Sequence, residues 1–209
     1  MAERGGLLNV ARNVYMHKIA IGSDYPPGTV HIDWTATENV NALAKAKGVP
    51  RSEITAIVLD RPRHAPLIEE LRTAGVAVKL ISDGDIAGVM HAVNTEDTGI
   101  DIYMGSGGAP EGVLAAAALR CIGGQMQGKL ILDTPAKRER AVAMGIDDPN
   151  RIYDVTELAS GDVLVAATGV TDGSLLEGIR LRRNSVLTNT IVMRSWSQTV
   201  RWIEAQHSR

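Results

Sequence analysis

Apolar segments of strand length alternate with helical segments through the middle of the chain, and this alternation limits the possible folds most strongly. Strands are predicted at 54–59, 76–81 and 100–104, and helices at 65–74 and 86–93. Such alternation is typical of an α/β protein whose sheet is largely parallel. In open sheets of this kind, ligands bind beyond the carboxyl ends of the strands.

Local signals predict further elements on both sides of this region. Thr35 followed by Glu38 forms a capping-box pattern and predicts a helix that runs to Lys47 and ends at Gly48. Additional strands are predicted at 15–21, 129–132 and 163–167, a helix at 135–144, and a C-terminal strand pair at 185–193 and 200–206. We therefore predict a layered α/β sandwich with a strand pair at its C-terminal end.

The amino-acid composition agrees with this class and excludes several others. Of the 209 residues, 44% are hydrophobic but none is phenylalanine, so the core is predicted to consist of Val, Ile, Leu and Ala. The net charge of −2 provides no basic field for nucleic acid, and no apolar run is long enough to span a membrane. The single cysteine, Cys121, is expected to be a buried small side chain, and the absence of an intrachain disulfide predicts a cytoplasmic protein.

The segment 105–112 (GSGGAPEG) is predicted to be a glycine-rich loop that opens an alanine-rich helix over 113–122. Glycines let the backbone approach a ligand, and a helix N-terminus offers free N–H groups to an anion. Pro110 suits the first helical turn, where Glu111 is favoured by the helix dipole or can coordinate a hard cation. A plain strand-to-helix turn with one acidic residue explains the segment equally well.

Polar segments follow each of the three central strands. The sequences DRPRH at 60–64, SDGD at 82–85 and the glycine-rich segment at 105–112 all lie at predicted carboxyl ends. Because such ends meet at one edge of a sheet, we expect the three segments to face a single crevice. Their composition predicts an anionic, hydroxylated ligand.

Each of these polar side chains has more than one possible role. Arg61 and Arg63 flank a proline and suit a phosphate or carboxylate, whereas His64 either contacts phosphate or caps the next helix. Asp83 and Asp85 accept hydrogen bonds from sugar hydroxyls, bind a divalent cation or cap a helix. The histidines lack metal-ligand spacing, so any metal is expected to be oxygen-ligated Mg²⁺ or Mn²⁺.

Taken together, DRPRH at 60–64, SDGD at 82–85 and GSGGAPEG at 105–112 resemble class II fructose-1,6-bisphosphatases, which are lithium-sensitive, metal-dependent sugar phosphatases. Other segments resemble the family in the same order: 3–6, 15–16, 18–19, 37–39, 167–173 and 192–195. The resemblance implies hydrolysis of the 1-phosphate of fructose 1,6-bisphosphate, and some members also accept sedoheptulose 1,7-bisphosphate. It also implies a Mn²⁺ or Mg²⁺ cofactor, a sugar bisphosphate as the substrate, and a homo-oligomer.

The resemblance assigns roles to the positions that match the family motifs. The positions with an implied substrate-binding role are Tyr15, Arg61, Pro62, Arg63, Asp83, Gly84, Asp85 and Gly108. Asp83 and Asp85 match the carboxylates that bind sugar hydroxyls, and Glu111 matches a metal ligand. The sequence departs from the family at Ser106, usually aliphatic, and at His17, usually acidic, and neither is expected to touch a matched site residue.

Family members also carry an N-terminal region that supplies most metal carboxylates and an Asp-Gly-Thr motif, and this motif does not occur in the sequence. Glu111 alone cannot assemble a multi-metal phosphatase centre. We therefore expect residues 1–34 to be the remnant of a phosphatase domain, 35–160 a substrate-binding domain, and 161–209 strands returning to the first domain. The chain is expected to have little activity alone, to depend on an N-terminal region either in cis or in trans, and to self-associate through uncovered apolar surface.

Two other classes of function remain possible on the sequence alone. The chain is then either a non-catalytic sugar-phosphate-binding or regulatory module, or a nucleotide-binding α/β domain. The second alternative is disfavoured, because the segment at 105–112 lacks the Lys-Ser/Thr of a P-loop and the glycine spacing of a dinucleotide fingerprint.

Overall fold

The computed structural model describes residues 1–11, 13–146 and 148–208, and within them the chain forms two β-sheets and a set of helices. The strands of the first sheet are β1 (Tyr15–Ile21), β2 (Thr55–Leu59), β3 (Ala77–Ile81), β4 (Ile102–Gly108), β5 (Gln125–Ile131) and β6 (Ile152–Asp154). The strands of the second sheet are β7 (Leu164–Thr168), β8 (Arg180–Leu181), β9 (Ser185–Arg194) and β10 (Thr199–Ser208). The helices are α1 (Ala36–Lys47), α2 (Ala65–Thr73), α3 (Asp85–Val93), α4 (Thr95–Thr98), α5 (Ala109–Ile122), α6 (Pro135–Ala143) and α7 (Val155–Leu158).

The first sheet has the strand order β3-β2-β4-β1-β5-β6. Its parallel part lies in the middle of the chain, where β2 pairs in parallel with both β3 and β4. Around this part, β1 pairs antiparallel with β4 and β5, and β5 pairs antiparallel with β6. The predicted α/β class is confirmed.

The second sheet contains the predicted C-terminal strand pair. The strands β9 and β10 pair antiparallel along their whole length without an intervening helix, and β7 and β8 pair with β9. Near the N-terminus, Ala2 bridges to Val163 and Leu7 to Ala159, next to this sheet. The strand β1, which also belongs to the segment 1–34, lies instead at the centre of the first sheet.

Helices cover both faces of the first sheet and form a layer between the two sheets. One face packs against α1 and α2 through a cluster that includes Ile19, Leu43 and Leu71. The other face packs against α3 and α5, and Cys121 on α5 also contacts residues of β9, such as Ile191. The predicted burial of Cys121 is confirmed. The core consists mostly of Val, Ile, Leu and Ala, as predicted, but it also contains methionines and the tyrosines Tyr103 and Tyr153, which the prediction left out.

The structure confirms the predicted helix start and corrects the predicted glycine loop. At α1, the Thr35 hydroxyl accepts from the Glu38 N–H, the Glu38 carboxylate accepts from the Thr35 N–H, and Gly48 ends the helix in the left-handed region. Residues 105–108 are not a loop but the end of β4, paired residue by residue with β1 from Lys18 back to Tyr15. Pairing with this distant strand overrides the low strand preference of glycine.

We expect Thr35→Ala to lower the free energy of unfolding by about 1 kcal/mol, since it removes the side-chain acceptor at the start of α1. Urea denaturation followed by circular dichroism measures the change. Thr37→Ala, within the same helix, is the matched control and should change stability by less than about 0.5 kcal/mol. Equal losses in the two variants would contradict the capping role of Thr35.

A search of the described ranges for membrane-crossing segments finds no helix with the required length and hydropathy.

Candidate functional site

The three polar segments meet around the carboxyl end of β4. The Arg63 guanidinium donates to the Ser106 carbonyl oxygen, with Nη2 at 2.7 Å and Nε at 3.1 Å. The carboxylate of Asp85 packs so closely on Gly107 that a Cβ there would overlap it, and Glu111 packs on Gly108 in the same way. The two glycines therefore admit two carboxylates to the strand, and the three segments contact one another at this point.

The arginines and the exposed aspartate line the open side of this site. The Arg63 guanidinium lies 5.1 Å from the centre of the Tyr15 ring, within the range of a cation–π contact. Arg61 approaches Asp83 at 3.8 Å, but their side chains are 40% and 92% exposed, so this ion pair is weak. Both side chains are therefore accessible to solvent.

Two backbone features position these side chains. Pro62 begins a short 3₁₀ turn, Pro62–His64, which directs Arg63 back across the end of β4. Gly84 has a φ of 96°, in the left-handed region, and its N–H donates to the Asp83 carboxylate at 2.9 Å. The chain thereby turns from β3 into α3 and buries Asp85 at the first turn of that helix.

Lys18 is a buried cation that the sequence analysis did not assign to the site. Its side chain is fully buried, its ammonium is paired with the Asp85 carboxylate, and Nζ lies 3.4 Å from the Gly108 carbonyl oxygen. Burial lowers the pKa of Lys18, and the charges of Asp85 and Glu111 oppose that shift. The sequence does contain a signal for this role, because a lysine inside the apolar strand YMHKIAI requires a buried partner for its charge.

His64 bonds to the backbone of two strands rather than capping α2. The Ser106 N–H donates to Nε2 at 2.8 Å, so the ring proton is on Nδ1 and is donated to the Leu59 carbonyl oxygen, also at 2.8 Å. His64 is buried and makes no side-chain cap to α2. The predicted capping role is therefore wrong, because β2 ends before it can pair with this part of β4 and the imidazole replaces it, while the phosphate contact stays a prediction.

The two departures from the family pattern lie closer to the site than expected. Ser106 contacts Arg63 through both its carbonyl oxygen and its hydroxyl, so the expectation that it touches no matched residue is wrong. His17 on β1 is the cross-strand neighbour of Ser106 on β4 and of Lys129 on β5. With Arg63, these residues line an open cavity of about 900 Å³ on the face of the sheet that carries α1 and α2.

The described residues do not form a complete metal centre. Within residues 1–11, 13–146 and 148–208, no three His, Cys, Asp or Glu side chains are grouped so that they could hold a metal ion. Asp85 is already paired with Lys18, which leaves Glu111 as a single carboxylate. A hard divalent cation needs several oxygen ligands, so Glu111 fits only as one member of a larger set.

We expect the stability of the protein to fall as the pH drops below about 6.5, because burial lowers the pKa of His64, His17 and His91 below the usual value of a histidine side chain. Between the lowered folded-state pKa and 6.5, the unfolded chain binds more protons than the folded one. The contribution of these histidines to the free energy of unfolding is therefore fully present above this pH window and is lost as the pH falls through it. His64 contributes at most about 1.4 kcal/mol per pH unit.

Urea midpoints at pH 7.5, 6.5 and 5.5 measure this dependence. In His64→Gln the slope of the midpoint with pH should be shallower than in the wild type. A wild-type slope in the His64 variant would show that the imidazole is not held neutral by its contacts.

The fold and this site define an α/β protein with a polar cleft at the carboxyl end of β4. Comparison with known proteins identifies the family. The model of the glpX-encoded bacterial fructose-1,6-bisphosphatases matches residues 1–207, and the chain belongs to that family.

Curated relatives named D-fructose 1,6-bisphosphatase class 2/sedoheptulose 1,7-bisphosphatase match the whole chain. Those from Synechococcus sp. strains JA-3-3Ab and JA-2-3B'a(2-13) are 41% and 42% identical, and the one from Synechocystis sp. is 41% identical. The chain spans 63% of the length of the Synechococcus proteins and 64% of the Synechocystis protein.

Proposed function

We propose that this chain is the substrate-binding part of a class II fructose-1,6-bisphosphatase that hydrolyses the 1-phosphate of fructose 1,6-bisphosphate. The observation that carries the proposal is the meeting of Arg63, Asp85 and Glu111 at one strand end. A sugar bisphosphate and its metal require three kinds of group: a guanidinium that binds phosphate, a carboxylate that accepts hydrogen bonds from hydroxyls, and a carboxylate that coordinates a cation. The relatives' names support sedoheptulose 1,7-bisphosphate as a second substrate.

The proposed roles follow the position of each side chain. Arg61, Arg63 and Tyr15 bind a phosphate group on the exposed side of the site. The 3₁₀ turn at Pro62 and the left-handed turn at Gly84 hold these segments in place.

The remaining site residues contact the sugar and the metal. Asp83 and Asp85 accept hydrogen bonds from sugar hydroxyls, and the backbone of Gly108 contacts the substrate. Glu111 is one ligand of Mn²⁺ or Mg²⁺, and the other ligands come from polypeptide outside these 209 residues. That region acts in cis in a longer chain or in trans as a partner.

We also propose the arrangement of the protein around this site. Residues 35–160 form the substrate-binding domain, and residues 1–34 and 161–209 belong to the phosphatase domain, from which β1 inserts between β4 and β5 at the centre of the first sheet. The protein is a cytoplasmic homo-oligomer. The second sheet exposes large apolar side chains, including Leu181, Trp196 and Trp202, which supports self-association. Size-exclusion chromatography with light scattering tests this, and a monomer at micromolar concentration would contradict it.

Titration calorimetry with fructose 1,6-bisphosphate, sedoheptulose 1,7-bisphosphate and fructose 6-phosphate tests the binding function. We expect the bisphosphates to bind more tightly, and Arg63→Ala to weaken both by at least about ten-fold through loss of a charged hydrogen bond. Arg72→Ala, near the end of α2, is the matched control and should bind normally. A wild-type chain that binds no bisphosphate would overturn the proposal.

The second candidate is a sugar-phosphate-binding or regulatory module without catalysis. It is favoured by the lack of a metal-binding group of side chains among the described residues. Phosphate release with Mn²⁺ is measured for the chain alone and after adding the remaining third of a Synechococcus relative. Turnover restored by the added segment supports the enzyme, whereas tight binding without any turnover supports the module.

A further inference from the structure

We propose that Lys18 is a positioning residue for the sugar. Lys18 fixes the Asp85 carboxylate and the Gly108 carbonyl group, and it thereby makes the site selective for a bisphosphate that carries hydroxyl groups. This inference rests on the proposed function, since it concerns the same site. It adds a residue that lies between the polar segments and that their motifs do not contain.

The first support is that one ammonium group connects two of the polar segments to β1. Nζ of Lys18 is paired with Oδ2 of Asp85, on the segment that follows β3, and lies 3.4 Å from the carbonyl oxygen of Gly108 at the end of β4. The charge of Glu111 also acts on this ammonium. Movement of Lys18 would therefore change the position of both segments.

The second support is the burial of the pair. The Lys18 side chain is 0% exposed and that of Asp85 is 9% exposed, so neither group can replace its partner with bulk water. Gly107 packs on the Asp85 carboxylate from the strand side and restricts it further. A carboxylate held in this way loses little entropy when it accepts a hydroxyl, and this is the physical basis of preorganised binding.

The third support is that Asp85 keeps capacity for a ligand. Among the described residues its side chain bonds only to Lys18, through Oδ2, and the residue retains some exposure. An ionised carboxylate can accept several hydrogen bonds. Among the described residues neither arginine bonds to the Asp85 carboxylate, since Arg61 pairs with Asp83 and Arg63 bonds to Ser106.

The test compares two bisphosphates that differ in their hydroxyl groups. The wild type, Lys18→Met and Lys18→Gln are titrated with fructose 1,6-bisphosphate and with hexane-1,6-diol bisphosphate, which keeps two phosphates but has no hydroxyls. The wild type should prefer the sugar. In both variants we expect the affinity for the sugar to fall about 10- to 100-fold, while the affinity for the diol bisphosphate changes by less than about two-fold.

The ratio of the two Kd values is the deciding quantity, because partial unfolding of a variant lowers the apparent affinity for both ligands by the same factor. A purely structural role for Lys18 therefore leaves the ratio at its wild-type value. Lys47→Met is the matched control, since Lys47 forms a second lysine–aspartate pair, with Asp101 at 2.6 Å, outside the site. That control should keep the wild-type ratio.

The possible outcomes separate this inference from the function on which it rests. An unchanged ratio in the Lys18 variants, or an equal fall in Lys47→Met, overturns the positioning role and leaves the proposed function intact. A wild-type chain that binds neither compound overturns the proposed function itself. A fall in the ratio confined to the Lys18 variants supports the inference.

Discussion

Replacement of Lys18 with methionine is expected to lower the free energy of unfolding by about 3–5 kcal/mol. The Asp85 carboxylate would remain buried without its only described side-chain partner. A buried charge that loses its partner keeps its full desolvation cost, whereas methionine supplies apolar contacts but no charge. Urea denaturation at pH 7.5 measures the loss as a shift of the midpoint.

A second substitution distinguishes this explanation from simple loss of packing. In Lys18→Met combined with Asp85→Asn, no unpaired charge is buried, and most of the lost stability should return. The pair Lys47–Asp101 provides the comparison, because the Lys47 side chain is 30% exposed and Asp101 also accepts from the Thr55 N–H. Lys47→Met should therefore lower the free energy of unfolding by less than Lys18→Met does. A double variant as unstable as Lys18→Met would exclude the uncompensated charge as the cause.

Gly107→Ala is expected to lower stability by about 1–3 kcal/mol and to weaken sugar bisphosphate binding. The new Cβ would overlap the Asp85 carboxylate, which cannot retreat without leaving Lys18. Gly107 cannot move easily either, because β4 pairs with Met16 of β1 at this position. Thermal and urea unfolding measure the stability, and calorimetry the binding.

Gly22→Ala is the matched control for this substitution. Its Cβ would meet the Val93 carbonyl oxygen at 3.7 Å and the Tyr25 ring at 3.9 Å, which are ordinary van der Waals distances. Stability should change by less than about 0.5 kcal/mol. If Gly107→Ala were as well tolerated as Gly22→Ala, the close packing of Asp85 on β4 would not describe the protein in solution.

Elements defined by local signals were predictable from the sequence. The helix α1 begins at the Thr35–Glu38 capping box and ends at Gly48, because both signals act through hydrogen bonds within a few residues. The strand β1 was predicted with its observed bounds, and the C-terminal strand pair within a few residues. For these strands the pattern of apolar side chains is sufficient to define the element.

Features defined by contacts between distant segments were not predictable. The glycine-rich sequence predicts a loop at 105–108, but pairing with β1, some 90 positions away, makes this segment a strand. The site contacts of Ser106 and the strand-like role of His64 depend on the place where β2 ends relative to β4. No periodicity in the sequence carries that information.

The sequence by itself determined the class of fold, the aliphatic core and the three polar segments, since these follow from side-chain chemistry and short-range spacing. Tertiary structure decided how the segments meet. It put a fully buried lysine beside Asp85 and two glycines against Asp85 and Glu111, and it made His64 the edge partner of β4. The physical reason is that burial and the pairing of charges depend on which strands become neighbours, and sheet pairing sets this across long stretches of chain.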